Sequence, residues 1–170
     1  MKKIPLVIIL SVFLSFALMG QQTKLKIGHI NTNELMQLMP GRDTAEQVLT
    51  VYAQNLQKQL EAMVEEFQTK YSDYLANENQ FIDAIKQVKQ KELLDLQTRI
   101  EDFQEEAQKL LVAKEQELLN PLIDKAKKAI EEVAKEKGYT YILDTGTGVV
   151  LYWESGDDIM SFVKDKLGIK

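Results

Sequence analysis

Apolar residues return along this chain in distinct rhythms, and each rhythm predicts a different kind of element. Between Thr44 and Lys137 the step is three or four residues. One series is Leu49, Tyr52, Leu56, Leu60, Met63, Phe67, Tyr71 and Tyr74. A second is Leu93, Leu96, Ile100, Phe103, Ala107 and Leu110, with steps of 3, 4, 3, 4 and 3. That spacing lines one face of a helix and makes a coiled-coil seam. The stretch holds no glycine and a single proline. Thr44 with Gln47 has the form of a capping box that opens the first helix. Asn77-Glu78-Asn79 reads as the tip between the two. At about 1.5 Å per residue, the 34 residues from Thr44 to Asn77 reach roughly 50 Å. Two such helices joined by a short tip fold back on each other as an antiparallel hairpin arm. Asn120-Pro121 has the form of a cap followed by a first-turn proline, which predicts a kink or restart near Pro121. Leu122, Ala126, Ala129, Ile130 and Val133 then carry the helix to Gly138, where it stops.

The flanks follow another pattern. Lys26-Ile27-Gly28-His29-Ile30 reads as a strand, and Asn31 to Asn33 can cap a short helix through Met39. Pro40-Gly41 then punctuates the chain. After Gly138, Tyr139 to Leu143 and Val149 to Trp153 are two β-rich runs. Asp144-Thr145-Gly146-Thr147-Gly148 lies between them with the chemistry of a hairpin turn. Ser155 with Asp158 can open a last helix whose apolar face is Ile159, Phe162, Val163 and Leu167, ended by Gly168. The predicted fold is therefore mainly α with a small β part. A long antiparallel coiled-coil arm (residues 44–137) stands on a small α/β body (residues 24–43 and 138–170). A core of that size seldom supports a monomer without disulfides or metal, and its strands leave open edges. The body is expected to oligomerise.

At the N-terminus, Met1-Lys2-Lys3 precedes an apolar run from Ile4 to Met19, and the chain turns polar at Gln21. This layout predicts a signal peptide over residues 1–20. The run has 16 residues, short of the roughly 20 that a membrane span needs, so cleavage is expected rather than a membrane anchor. Without residues 1–20 the chain has 19 basic against 26 acidic residues, a net charge of −7. That balance argues against nucleic acid as a partner and against adhesion to anionic lipid. The chain has no cysteine, so disulfides do not staple it.

No catalytic, cofactor-binding or metal-binding constellation emerges. Asp144-Thr145-Gly146 matches the aspartic-protease triplet, but that chemistry needs a second carboxylate opposite the first and a largely β scaffold. His29 is the only histidine and reads as a packed strand residue. Paired acids such as Glu65-Glu66 and Glu105-Glu106 read as solvated helix faces.

Together these residues resemble the Skp/OmpH-like family of periplasmic chaperones. The likeness lies in Lys26-Ile27-Gly28-His29-Ile30-Asn31 leading to Pro40 and in the Gln/Glu/Lys-rich hairpin. It continues in the ending from Tyr141-Ile142-Leu143-Asp144 through Val150-Leu151-Tyr152 to Asp157-Asp158-Ile159. The resemblance implies a periplasmic homotrimer, with three arms around a cavity, that holds unfolded outer-membrane proteins without ATP and prevents their aggregation. It implies no enzyme and no cofactor. Well-studied members are strongly basic whereas this chain is acidic, so no residue is assigned to lipopolysaccharide or to charge steering of clients. Tyr71, Tyr74, Phe81, Ile82, Ile85 and Val88, near the arm tip, are the candidate client contacts. An adaptor or structural coiled coil of the cell envelope is the alternative that the helices alone allow.

Overall fold

The computed structural model describes residues 25–154 and 156–170. The signal peptide expected over residues 1–20 lies outside them. The chain runs β1 (Ile27–Ile30), α1 (Thr32–Leu38), α2 (Arg42–Asn77), a 3-10 turn (Glu78–Gln80), α3 (Asp83–Lys137), β2 (Tyr141–Asp144), β3 (Asp157–Asp158) and α4 (Met160–Leu167).

The arm is α2 and α3, of 36 and 55 residues. At about 1.5 Å per residue α2 is about 54 Å long. The Thr44–Gln47 capping box is not formed. The helix starts two residues earlier, at Arg42, behind Gly41 and without a side-chain cap. Backbone bonds from Arg42 N–H to Met39 C=O and from Ala45 N–H to Gly41 C=O carry the chain out of the Pro40-Gly41 turn straight into the helix. Nor does α3 restart at Asn120. One helix passes through Pro121 and ends at Gly138, whose φ of 69° is the left-handed cap that glycine adopts without strain.

Most of the seam predicted from the heptad spacing faces inward, but it closes unevenly and leaves Tyr71 exposed. Along the arm before Pro121 only Ala45, Tyr74 and Leu96 are fully buried. Leu49, Tyr52, Leu56, Leu60, Met63 and Phe67 on α2 are half-buried, and so are Ile100, Phe103, Ala107 and Leu110 on α3.

The body is built around β1. The sheet order is β2-β1-β3 and both pairings are parallel: Ile27 opposite Tyr141 through Ile30 opposite Asp144, and Gly28 opposite Asp157. Parallel neighbours need a crossover, and between β1 and β2 the arm itself is that crossover. The hairpin expected from the two β-rich runs is absent. Val149 to Trp153 pairs with nothing in the sheet, and the third strand is Asp157–Asp158. As a result α4 begins at Met160, later than the sequence suggested, with Asp158 Oδ1 accepting from Met160 N–H at 2.8 Å.

One side of the sheet is dry. Ile30, Leu35, Met39, Ile159, Val163 and Leu167 pack there with Ala126, Ala129 and Val133 of α3. The last turns of α3, which the sequence division assigns to the arm, thus supply a wall of the body core. Gly28 lets α4 and β2 come close. A Cβ there would stand 3.0 Å from Ile142 and 3.1 Å from both Ile159 and Tyr139. Lys166 of α4 ties back to α3 through Glu132, at 3.6 Å, and Glu136.

Candidate functional site

Three places on this frame could carry function: the arm tip, the outer side of the sheet, and the Asp144 turn. At the tip, Tyr74 closes the hairpin. It is 6% exposed, donates to Glu78 Oε1 at 3.1 Å and accepts from Gln90 Nε2 at 2.8 Å. Burial raises the Tyr74 hydroxyl above its ordinary pKa; the Gln90 bond lowers it, and Glu78 raises it again. The Phe81 ring lies 6.3 Å from that of Tyr74. Lys89 sits 5.2 Å over Phe81 and pairs with Asp73 at 3.4 Å. Tyr74 and Phe81 are therefore packing residues that lock α2, the 3-10 turn and α3 together.

The other four candidates stand outside this lock. Ile82 is 69% exposed, Val88 59%, Tyr71 45% and Ile85 43%. Tyr71 is braced by stacking on Phe67, with ring centroids 5.9 Å apart. Leu75, 53% exposed, belongs with them. The heptad reading missed it because Leu75 is not a seam position, yet it lies one turn after Tyr71, on the same stripe of the helix.

The outer side of the sheet is apolar. Ile27 and Leu143 are exposed there with Tyr141, and Leu25 adjoins them. The segment from Val149 to Trp153 follows β2, and its side chains are open: Leu151 is 90% exposed and Val149 81%. The Trp153 ring comes back to His29, with ring centroids 6.2 Å apart. With Tyr152 it borders a groove of about 370 Å³ over β1. The His29 Nδ1 atom is buried without a hydrogen-bond partner among the described residues.

The Asp144 triplet ends β2 instead of turning a hairpin. Its carboxylate accepts from the Thr32 hydroxyl, from Thr32 N–H at 3.2 Å and from Gly146 N–H at 2.8 Å. Burial pushes this carboxyl up, but the bonds from Thr32 and Gly146 outweigh it and hold its pKa below the ordinary value. Both oxygens are engaged in fastening the start of α1 to the end of β2, as a structural anchor would be.

A family model described as "Outer membrane protein (OmpH-like)" matches residues 26–167. The chain belongs to the OmpH-like family. In this family member the match runs from β1 to the end of α4, so it takes in body and arm alike. Among solved structures, a candidate outer-membrane chaperone (OmpH-like) from Caulobacter crescentus has the same fold. Its TM-score is 0.69 at 15% identity, over 86% of each chain. No curated protein matches the sequence. Among the described residues of this OmpH-like chain, no helix is long and apolar enough to cross a membrane.

Proposed function

We propose that this OmpH-like protein is an ATP-independent periplasmic holdase, exported by a cleaved signal peptide, that keeps unfolded outer-membrane proteins from aggregating. The observation that carries this reading is the arm tip, where Tyr71, Leu75, Ile82, Ile85 and Val88 stay exposed around a hairpin already closed by Tyr74 and Phe81. Side chains left outside a completed packing unit are free to touch something else. Unfolded membrane strands expose alternating apolar residues, and several weak contacts on one molecule retain them through effective concentration, with no need for nucleotide. The chaperone description of the Caulobacter protein supports the same reading.

Self-association belongs to this proposal. An apolar sheet face, two open strand edges and the unpaired Val149–Trp153 segment form a patch that soluble monomers seldom leave uncovered. A trimer joined through the body would hold three arms around one space.

Diluting a urea-unfolded outer-membrane β-barrel into buffer with the purified protein, without ATP, tests the proposal. The β-barrel is expected to stay soluble. Aggregation at the rate seen without the protein would contradict it.

A further inference from the structure

The net charge of this chain is concentrated in one part of the fold. From Arg42 to Gln68 two basic residues face five acidic ones, and from Leu93 to Asp124 three face eight. The tip between them, residues 69–92, holds four of each sign, and residues 25–41 and 125–170 together hold nine of each. The whole excess therefore flanks the middle of the arm.

The middle of the arm is also where the seam fails to close. Between Ala45 and Tyr74 on α2, and between Leu96 and Ala126 on α3, no residue is fully buried. A groove of about 430 Å³ opens there between the helices. Its floor is Leu56, Leu60, Ala107 and Leu111, with Gln57 and Gln104 among its remaining walls. Ala107 helps to keep it open, since the small side chain leaves space where a larger seam residue would fill it. The carboxylates beside it are close along each helix. Glu61 accepts from Gln57 at 3.0 Å, Glu101 is one turn before Gln104, and Glu115 is one turn after Leu111. Among the described residues, Glu61, Glu101 and Glu115 take part in no ion pair, although their neighbours Glu105 and Glu117 pair with Lys109 and Lys114.

We propose that this groove takes apolar side chains of unfolded segments that also carry lysine or arginine, so that the protein sorts clients by positive charge. An apolar floor gives retention, and flanking carboxylates reward a cation beside each inserted side chain. The inference rests on the holdase reading and adds the chemical class of client to it.

Two fluorescent 20-residue peptides test it on the purified protein. They share the same alternating apolar residues, and the positions between carry lysine in one and glutamate in the other. Fluorescence anisotropy is expected to give a Kd about tenfold lower for the lysine peptide, the size that a few exposed ion pairs give together. The preference should fade in about 1 M salt, where charges are screened within about 3 Å. Ala107→Met, which fills the groove, should weaken lysine-peptide binding severalfold at unchanged helicity. Glu61→Gln with Glu101→Gln should shrink the preference from both sides, weakening the lysine peptide and relieving the like-charge repulsion that weakens the glutamate peptide. Equal affinity for the two peptides overturns the inference, as does a preference that ignores both changes. A change in mass with Ala107→Met, with peptide binding intact, would show that a second copy's arm fills the groove and would overturn it too. If the β-barrel is held but neither rule of peptide preference applies, only this inference fails; if nothing is held, the holdase reading fails with it.

Discussion

Asp144 shows how one residue's chemistry can be read in two ways until its partners are known. Its folded pKa is depressed, so its contribution to stability is present above the ordinary carboxylate value of 3.8 and is lost as pH falls through the folded value. Asp144→Asn should therefore cost about 1 kcal/mol at pH 7, the size of a lost hydrogen bond, and less below pH ~4. Thermal melts of both proteins at the two pH values check this; a gap in Tm that is the same at each would show that the charge is not used. Gly28→Ala should destabilise the body more, by about 1–3 kcal/mol, because its Cβ would press on Ile142, Ile159 and Tyr139. Urea titration reads that loss directly. At this scale the sequence was legible where the signal is local. Asn31 to Asn33 reads as a cap, and of these Asn31 serves, its Oδ1 accepting from Glu34 N–H at 3.1 Å. The bonds of Asp144 were not legible, since Thr32 lies 112 positions away.

Among the elements, the two long helices could be read because a strict three-four spacing has one physical solution over so many residues. The restart allowed at Pro121 does not occur, for a related reason. A proline breaks a helix that has nothing else to hold it, but here Leu122 packs onto the body core and Ala126 and Ala129 are buried in it. Tertiary packing holds the helix through a residue that costs roughly 3 kcal/mol in a helix interior. Pro121→Ala restores the missing N–H donor and should raise the melting temperature of the helical signal in circular dichroism; a lowered one would show that the proline is needed. The Val149–Trp153 run misled in the opposite direction. Its composition favours a strand, yet strand formation needs a partner edge, and in this chain the place beside β1 goes to Asp157–Asp158. Composition records what a segment can do, and its pairing depends on which edges are vacant.

For the whole molecule, the division of labour is between a closed body core and surfaces left open. The body surface is expected to join copies. Light scattering at micromolar concentration should give three copies for the purified protein and fewer for Val149→Ser with Leu151→Ser and Tyr152→Ser, whereas removing the arm between about Leu56 and Leu111 should leave three. A monomer in the unaltered protein would defeat this. The arm tip is expected to hold clients, and the claim is most directly tested there. The measurement is the aggregation of a urea-diluted outer-membrane β-barrel, without ATP, in the presence of a variant with Tyr71, Ile82, Ile85 and Val88 all changed to Ser. Tyr74 and Phe81 remain to close the hairpin, so helicity and assembly should be kept while holding is largely lost. Full holding by a variant of unchanged helicity would contradict the account.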